Sequence, residues 1–364
     1  MPSKPAENTS GTKRIAVIPG DGIGIEVTRE ALKVLKAATS GGPGKLEFTE
    51  FDWGADRYLR DGTTLPEGAV EMLRRDFDAI LFGAVGDPRV PQNKHAADIL
   101  LVLRTRLDLY VNLRPVELFD EALTPLCGRG TSEVNFVVLR ENTEGLYSGV
   151  GGQFQRGTPN EVAIQVDVNT RKGVERIIRY AFEYASRHNL GRVCMSDKSN
   201  ALTYGHELWQ RVFSEVKTEY AGIESRHLYI DTLVMEIVRD PGQFRVIVTC
   251  NLFGDILSDL GAQLAGGLGL APSGNIHPGS ISLFEPVHGS APGIAGKNLA
   301  NPAGAVLASA LMLDHLGLSP LAGMLRHAVR ASVSARQTTK DIGGSLGTRE
   351  AGDWLAENVT KQWA

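Results

Sequence analysis

Asp255 and Asp259 stand four residues apart in the segment Cys250–Gly261, directly after an apolar, β-branched stretch, Arg245–Thr249, that reads as a buried strand. On a helix, positions i and i+4 share a face, so both carboxylates point the same way. Like charges placed so repel by roughly a few tenths of a kcal/mol unless a cation lies between them. A hard divalent ion, which prefers oxygen ligands, suits that seat. The plainer alternative is a helix cap at Asp255 and a solvated carboxylate at Asp259. Three arginines each close an apolar run: Arg104 after Leu100–Leu103, Arg114 after Tyr110–Leu113, and Arg140 after Phe136–Leu139. Guanidinium groups grip carboxylates with paired hydrogen bonds and are rarely buried without such a partner. A structural salt bridge or a snorkelling stem explains any single one; three together make a carboxylate-binding pocket a competing explanation. Tyr147 follows Arg140 by seven residues, Lys198 follows the short strand-like Arg192–Met195, and Asp231 ends His227–Ile230 and opens a helix. Taken singly they read as a packed aromatic, a surface lysine and an N-cap. Their repeated placement at strand ends raises them, because open α/β sheets bind ligands at the carboxyl ends of their strands.

The elements that must position these residues alternate between strand and helix for most of the chain, the pattern of an α/β fold. Strands are expected at 14–18, 46–53, 79–82, 135–139, 161–168, 192–195, 225–230 and 245–249, and helices at 25–38, 66–75, 99–107, 171–188, 204–219 and 233–239. The chain from Pro302 on reads as mainly helical, Gly149–Gly157 as a turn in a β-rich arm, and Gly266–Pro278 as a Gly- and Pro-rich connection. The changes of texture near 113 and 266 predict a lobe at 113–266 inserted into a discontinuous lobe formed by 1–112 and 267–364. A cleft between two such lobes is where a ligand is expected.

The 364 residues are 42% hydrophobic and 22% charged, an ordinary globular composition with room for a large core. A net charge of −4 gives no electrostatic grip on nucleic acid or anionic lipid. Cys127, Cys194 and Cys250 are widely spaced with no CxxC pair, which predicts free thiols and a reducing compartment. Residues 1–12 are polar and read as a loose tail, no apolar run reaches membrane-spanning length, and a cytoplasmic location is expected.

Ile18–Gly24 invites a Rossmann reading and does not sustain one. Its spacing is GxGxG behind a proline, and Glu50 and Asp52 come later than the acidic residue such a fingerprint requires. A tight strand-to-helix turn explains the glycines. The long loop Leu283–Pro302, rich in small residues and backbone donors around His288, is better suited to wrap a nucleotide, and is also compatible with an ordinary active-site loop.

Residues 14–350 resemble the metal-dependent β-decarboxylating dehydrogenases, the family of isocitrate, isopropylmalate, homoisocitrate and tartrate/D-malate dehydrogenases. Ile18–Gly24, Leu113–Pro115, Arg140–Gly145, Asn251–Asp259 and Glu285–Ala291 match in order. The resemblance implies a two-lobed α/β fold that is not a Rossmann domain, and a homodimer whose inserted lobe carries the dimer contacts, the β-arm and the metal carboxylates. It implies that Arg104, Arg114 and Arg140 clamp malate carboxylates, and that Asp98 and Leu100 lie on the substrate-reading helix. Mg²⁺ or Mn²⁺ would be held by Asp255 and Asp259 together with Asp231 of the other subunit. Lys198, which like Asp231 would reach across from the other subunit, would take the 2-hydroxyl proton, and Tyr147 would protonate C3 after loss of CO₂. Glu285 would lie near the nicotinamide ribose and His288 and Asn301 near the adenosine, with Gly289, Ser290, Ala291 and Gly293 in the loop around it.

Two positions depart from the family pattern. NAD-using members carry an aspartate where this chain has Gly293, and NADP-using isocitrate enzymes a Lys-Tyr pair where it has Gly293-Ile294. NAD is expected, with NADP left open, since nothing supplies obvious charge for a 2′-phosphate. Asp98 replaces the serine or threonine of the isocitrate and isopropylmalate enzymes, and Ala97 the glutamate that flanks the isopropyl pocket. A carboxylate at 98 disfavours a third substrate carboxylate, by about 1 kcal/mol or more outside bulk water. The expected activity is therefore oxidation and β-decarboxylation of a (2R)-malate-type diacid, with the tartrate/D-malate branch nearest. The alternatives are 3-isopropylmalate as substrate, or a catalytically silent regulatory subunit.

Overall fold

The computed structural model describes residues 11–41 and 44–363; the tail expected at 1–12 lies, but for its last two residues, outside them. The chain divides into two compact units, Met1–Leu109 with Leu118–Pro125 and Ala262–Ala364, and Tyr110–Glu117 with Leu126–Gly261. The fold is α/β, as the alternation of elements predicts.

In the first unit the strands run in the order Leu46–Glu50, Lys13–Gly20, Ala79–Ala84, Leu283–Pro286, Pro272–Ile276. The first four are parallel and the last is antiparallel to its neighbour. Ile15–Ile18 and Ala79–Phe82 are continuous apolar runs buried on both faces, which is what a parallel strand covered by helices demands. On one face Ala16, Ile18, Ile80 and Phe82 pack with Leu73, Ile99 and Leu103. Helix Ala303–His315 is buried almost all round, so it lies in the core rather than on it. The expected helix at 99–107 is the end of a longer segment: Lys94–Ala96, a π-helical turn Ala97–Leu101, and Val102–Arg106. Two elements lack a local signal. Helix Ala55–Asp61 is short and mostly exposed, and strand Pro272–Ile276 has Ser273, Gly274 and Asn275 where β-formers are usual. Pairing with Leu283–Pro286 and full burial hold the latter extended.

In the second unit the order is Val111–Glu117, Asn135–Glu141, Val246–Thr249, Arg192–Asp197, Glu224–Tyr229, parallel except for the first pair. The expected turn at Gly149–Gly157 contains a strand, Gly151–Phe154, which pairs antiparallel with Val162–Gln165. Both strands are exposed throughout, and Phe154, Val162 and Ile164 lie open to solvent. Cys194 and Cys250 are buried free thiols and Cys127 an exposed one. Among the described residues no helix is long and apolar enough to cross a membrane.

Candidate active site

Four parallel strands of the second unit present their carboxyl ends along one edge. Arg140 lies at that end of Asn135–Glu141, and Asp255 on helix Asn251–Leu264, which follows Val246–Thr249. Lys198 comes just after Arg192–Asp197, and Asp231 in the first turn of helix Ile230–Arg239, after Glu224–Tyr229. Neighbouring strands are about 4.8 Å apart, so segments distant in sequence leave the sheet within about 15 Å of one another.

Arg140 is 2% exposed and fully engaged. Its Nη1 donates to Asp255 Oδ1 at 2.5 Å, and its Nε and Nη2 donate to Asn251 Oδ1 at 2.9 and 2.5 Å. Arg114 Nη1 lies 3.1 Å from the same Asp255 oxygen and donates to Ser258 Oγ at 2.6 Å. Tyr147 donates its hydroxyl to Asp255 Oδ2 at 3.0 Å, with its ring centroid 5.1 Å from Arg140 Cζ. The helix can lie this close only because residue 254 is glycine, where a Cβ would come 2.6 Å from Arg140 Cβ. Asp255 and Asp259 are both inside the helix, on one face. Asp259 is exposed there and has no hydrogen bond or ion pair among the described residues. Partial desolvation, then the adjacent Asp255 charge, hold its carboxyl above the ordinary range, against the pull of Arg114 and Arg140. Burial, then the same Asp255 charge, raises the Tyr147 phenol, so it keeps its proton.

Lys198 Nζ lies 2.9 Å from Asp231 Oδ1, and that hydrogen bond draws the Asp231 carboxyl below its usual value. The main chain around Lys198 is tied on both flanks. Its own N–H donates to Nδ1 of buried His206 at 2.9 Å, while the Ser199 N–H donates to buried Asp197 at 3.0 Å. Among the described residues no hydrogen bond or ion pair joins the Lys198–Asp231 pair to the Asp255 cluster. Among the described residues no three His, Cys, Asp or Glu side chains are gathered for a metal. Asp255 and Asp259 fit as two oxygen donors, Asp259 having no hydrogen bond or ion pair among the described residues; a hard divalent ion would take its remaining oxygens from water, substrate or another chain.

The first unit holds the remaining candidates. Arg104 is buried and donates to Glu285 Oε1 at 2.9 Å, where Asn275 Nδ2 also donates at 2.8 Å. Leu100 is half-buried against the Ile99–Leu103 cluster. Asp98 shares a helix face with Val102 and Arg106, and the three line a surface cleft with Thr64–Gly68 and the first turn of helix Ala69–Asp76. Arg104, two positions off that face, points elsewhere. In the 285–301 loop, buried Ser290 accepts the Ile23 N–H on its carbonyl at 2.8 Å. His288 Nδ1 faces the Gly289 carbonyl at 3.0 Å, and burial lowers its imidazole. Asn301 donates to Asp341 at 3.0 Å and accepts from the Ala303 N–H, capping the next helix. Ala291 adopts φ 39°, and Gly289 and Gly293 have open space where a Cβ would go.

A profile of the isocitrate/isopropylmalate dehydrogenase family matches residues 14–355. The chain is 48% identical over 353 residues to a 3-isopropylmalate dehydrogenase of Thermobifida fusca, covering 96% of this chain and 99% of that one. It is 47% identical to a protein of the same name from Corynebacterium kroppenstedtii, with 95% and 99% coverage. The chain belongs to this family. Its fold superimposes on the crystal structure of isocitrate dehydrogenase from Methylococcus capsulatus with a TM-score of 0.85 at 36% identity, over 96% of this chain and 100% of that one. A β-decarboxylating dehydrogenase from Thermococcus kodakarensis, in its apo form, gives 0.78 at 40% identity, with 96% and 97% coverage. As a member of the family the chain is an oxidoreductase that uses NAD and a divalent metal ion.

Sequence reasoning passed over Asn251, Ser258 and His206. Asn251 had a signal: with Asp255 and Asp259 it completes an i, i+4, i+8 face. His206 had none, since its partner is a backbone amide.

Proposed function

We propose that this chain is a 3-isopropylmalate dehydrogenase, oxidising C2 of the diacid and releasing its β-carboxylate as CO₂. The alternative substrate of the sequence reading thus replaces its first choice, D-malate or tartrate, because full-length relatives bear the isopropylmalate name. One observation carries the choice of a dianionic malate: Arg114 and Arg140 both engage the Asp255 carboxylate, beside Asp259, which has no hydrogen bond or ion pair among the described residues. Those four groups sum to zero charge. A divalent cation arriving with a dianionic substrate preserves that balance, whereas a tricarboxylate adds an uncompensated charge.

When bound, the metal would acidify the substrate hydroxyl and stabilise charge released by decarboxylation, and NAD would accept the C2 hydride. Asp255 and Asp259 would hold the metal, with Asp231 of a second copy as the third donor. Arg114, Arg140 and Arg104 would release their present carboxylate partners and grip those of the substrate. Lys198 of that second copy, its main chain fixed by His206, would take the hydroxyl proton. Tyr147, which keeps its proton, would deliver one to C3 once CO₂ has left. Leu100 would supply apolar surface for the isopropyl group. Glu285, His288, Ser290 and Asn301 would border NAD, whose adenosine would lie along the backbone of Gly289, Ala291 and Gly293. The exposed apolar arm, with Phe154 at 58% and Ile164 at 49% exposure, suits a homodimer contact.

A second reading, a malate with a smaller or more polar C3 group, is favoured by Ala97 standing where the isopropyl pocket's glutamate is usual. Purified protein with Mn²⁺ decides between them. The highest kcat/KM is expected for 3-isopropylmalate with NAD; a D-malate value about tenfold higher moves the assignment to the second reading, and no reduction with any diacid leaves a silent subunit.

A further inference from the structure

Asp21 lies in the Gly20–Gly24 turn, the motif that resembles a nucleotide fingerprint without being one. Its carboxylate is 5% exposed and carries three bonds. Oδ1 accepts from the Ala55 N–H at 2.6 Å and Oδ2 from the Gly86 N–H at 2.8 Å, while His95 Nε2 lies 2.7 Å from Oδ2. His95 is fully buried, stacked on Tyr58 with centroids 6.1 Å apart. Its Nδ1 has no hydrogen-bond partner among the described residues, where the ring makes one directional bond, to Asp21. A buried carboxylate fixed by two backbone donors has little freedom to turn, and the imidazole bound to it inherits that rigidity.

The position of His95 gives this bond its consequence. It lies in Lys94–Ala96, immediately ahead of the π-helical turn Ala97–Leu101 and the Val102–Arg106 helix. A π turn is a rare, single-turn widening, so the rotation of everything beyond it depends on how its start is held. Leu100 and Arg104 lie beyond that start. The same Asp21 turn reaches the cofactor loop: the Ile23 N–H donates to the Ser290 carbonyl at 2.8 Å, and Gly22, at φ 55°, packs so tightly on that oxygen that no Cβ fits.

We infer that His95 is a positioning residue for substrate selectivity: its bond to Asp21 sets the rotation of the helix that presents Leu100 and Arg104. The inference rests on the proposed reading of those two residues as substrate-facing. With the bond made, the π turn is anchored and Leu100 keeps a fixed angle to Arg104. Without it, the turn rewinds and the apolar wall shifts round the axis, while the cofactor loop keeps its own backbone bonds.

His95→Phe keeps the ring volume and the Tyr58 stack but removes the donor, and His95→Gln returns an amide N–H at similar reach. In His95→Phe, kcat/KM for 3-isopropylmalate is expected to fall about tenfold, mainly through KM, and the preference over D-malate to fall with it. KM for NAD should stay within about twofold, and His95→Gln should recover most of both losses. An unchanged preference, a loss shared equally by NAD and diacid, or a glutamine variant no better than phenylalanine overturns the inference. If circular-dichroism melts show that His95→Phe does not fold, His95→Asn, too short to reach Asp21, carries the same expectations. Arg104→Lys separates the two possible failures. Near-normal turnover there sinks the reading of Arg104, whereas a large loss there with unchanged preference in His95→Phe sinks only the role of His95.

Discussion

The carboxyl edge of the second unit and the 285–301 loop of the first hold their functional candidates in opposite ways. At the edge, side chains bind side chains: Arg140, Arg114, Asp255, Asn251 and Tyr147 form one network around a single carboxylate. In the loop, the main chain takes part in many of the ties, with the Ser290 carbonyl on Ile23, the Ile294 N–H on Ala291, the Thr348 N–H on Asn298 and the Gly296 N–H on the Glu26 carboxylate. The difference follows from what each region would recognise. Carboxylates, a metal and moving protons need charge at fixed points, so the edge is made of pre-oriented ionisable groups. An extended nucleotide needs shape and backbone donors, which small residues supply without side-chain chemistry.

The contrast can be broken at either end. Lys198→Ala should lower kcat at least about a thousandfold while leaving the oligomer and the melting temperature unchanged; stopped-flow NADH formation near the wild-type rate would remove Lys198 as the base. Phe154→Asp, on the exposed arm, should yield monomers by light scattering and lose activity about a hundredfold or more, because Asp231 then has no second copy to serve. An active monomer would show that one chain completes its own site. Gly293→Asp is expected to lower KM for NAD by about tenfold, about 1.4 kcal/mol, with the diacid KM unchanged. Open space at Gly293 makes the substitution strain-free, so an unchanged KM would mean that the adenosine lies elsewhere.

The smallest effect concerns pH. His315 packs on Phe284, beneath the strand that leads into the loop, and burial holds its imidazole below the ordinary 6.5. Its folded pKa is depressed, so as pH falls below 6.5 the unfolded chain takes up a proton first. The stability it contributes is present above that pH and is lost as pH falls toward the folded value. His315→Gln should therefore lose less melting temperature than wild type between about pH 7.5 and 5.5. Parallel curves would mean that His315 does not shape acid stability.

Strand and helix were legible wherever the pattern was local. Ile15–Ile18 and Val246–Thr249 announce buried strands by unbroken apolar runs, and Arg140, Lys198, Asp231 and Asp255 could be placed at strand ends from their flanks alone. Pro272–Ile276 was missed because pairing and burial, not its own residues, keep it extended. Asp98 follows the same rule: the chain reads as a helix through 99–107, but the π turn and the cleft with Thr64–Glu71 determine which way that carboxylate faces.

By itself, the order of residues determined the α/β class, the chemistry on offer and the family, because periodicity and motif spacing are properties of short segments. The tertiary structure alone decided the partnerships: Arg114 and Arg140 on one Asp255, Arg104 on Glu285, the Lys198 amide on His206, and His95 on Asp21. Arg104 and Glu285 are separated by 181 residues and His95 and Asp21 by 74, and no local rule connects residues so far apart. Those choices are made by a folded chain that cannot leave charge or hydrogen-bonding groups buried without a partner.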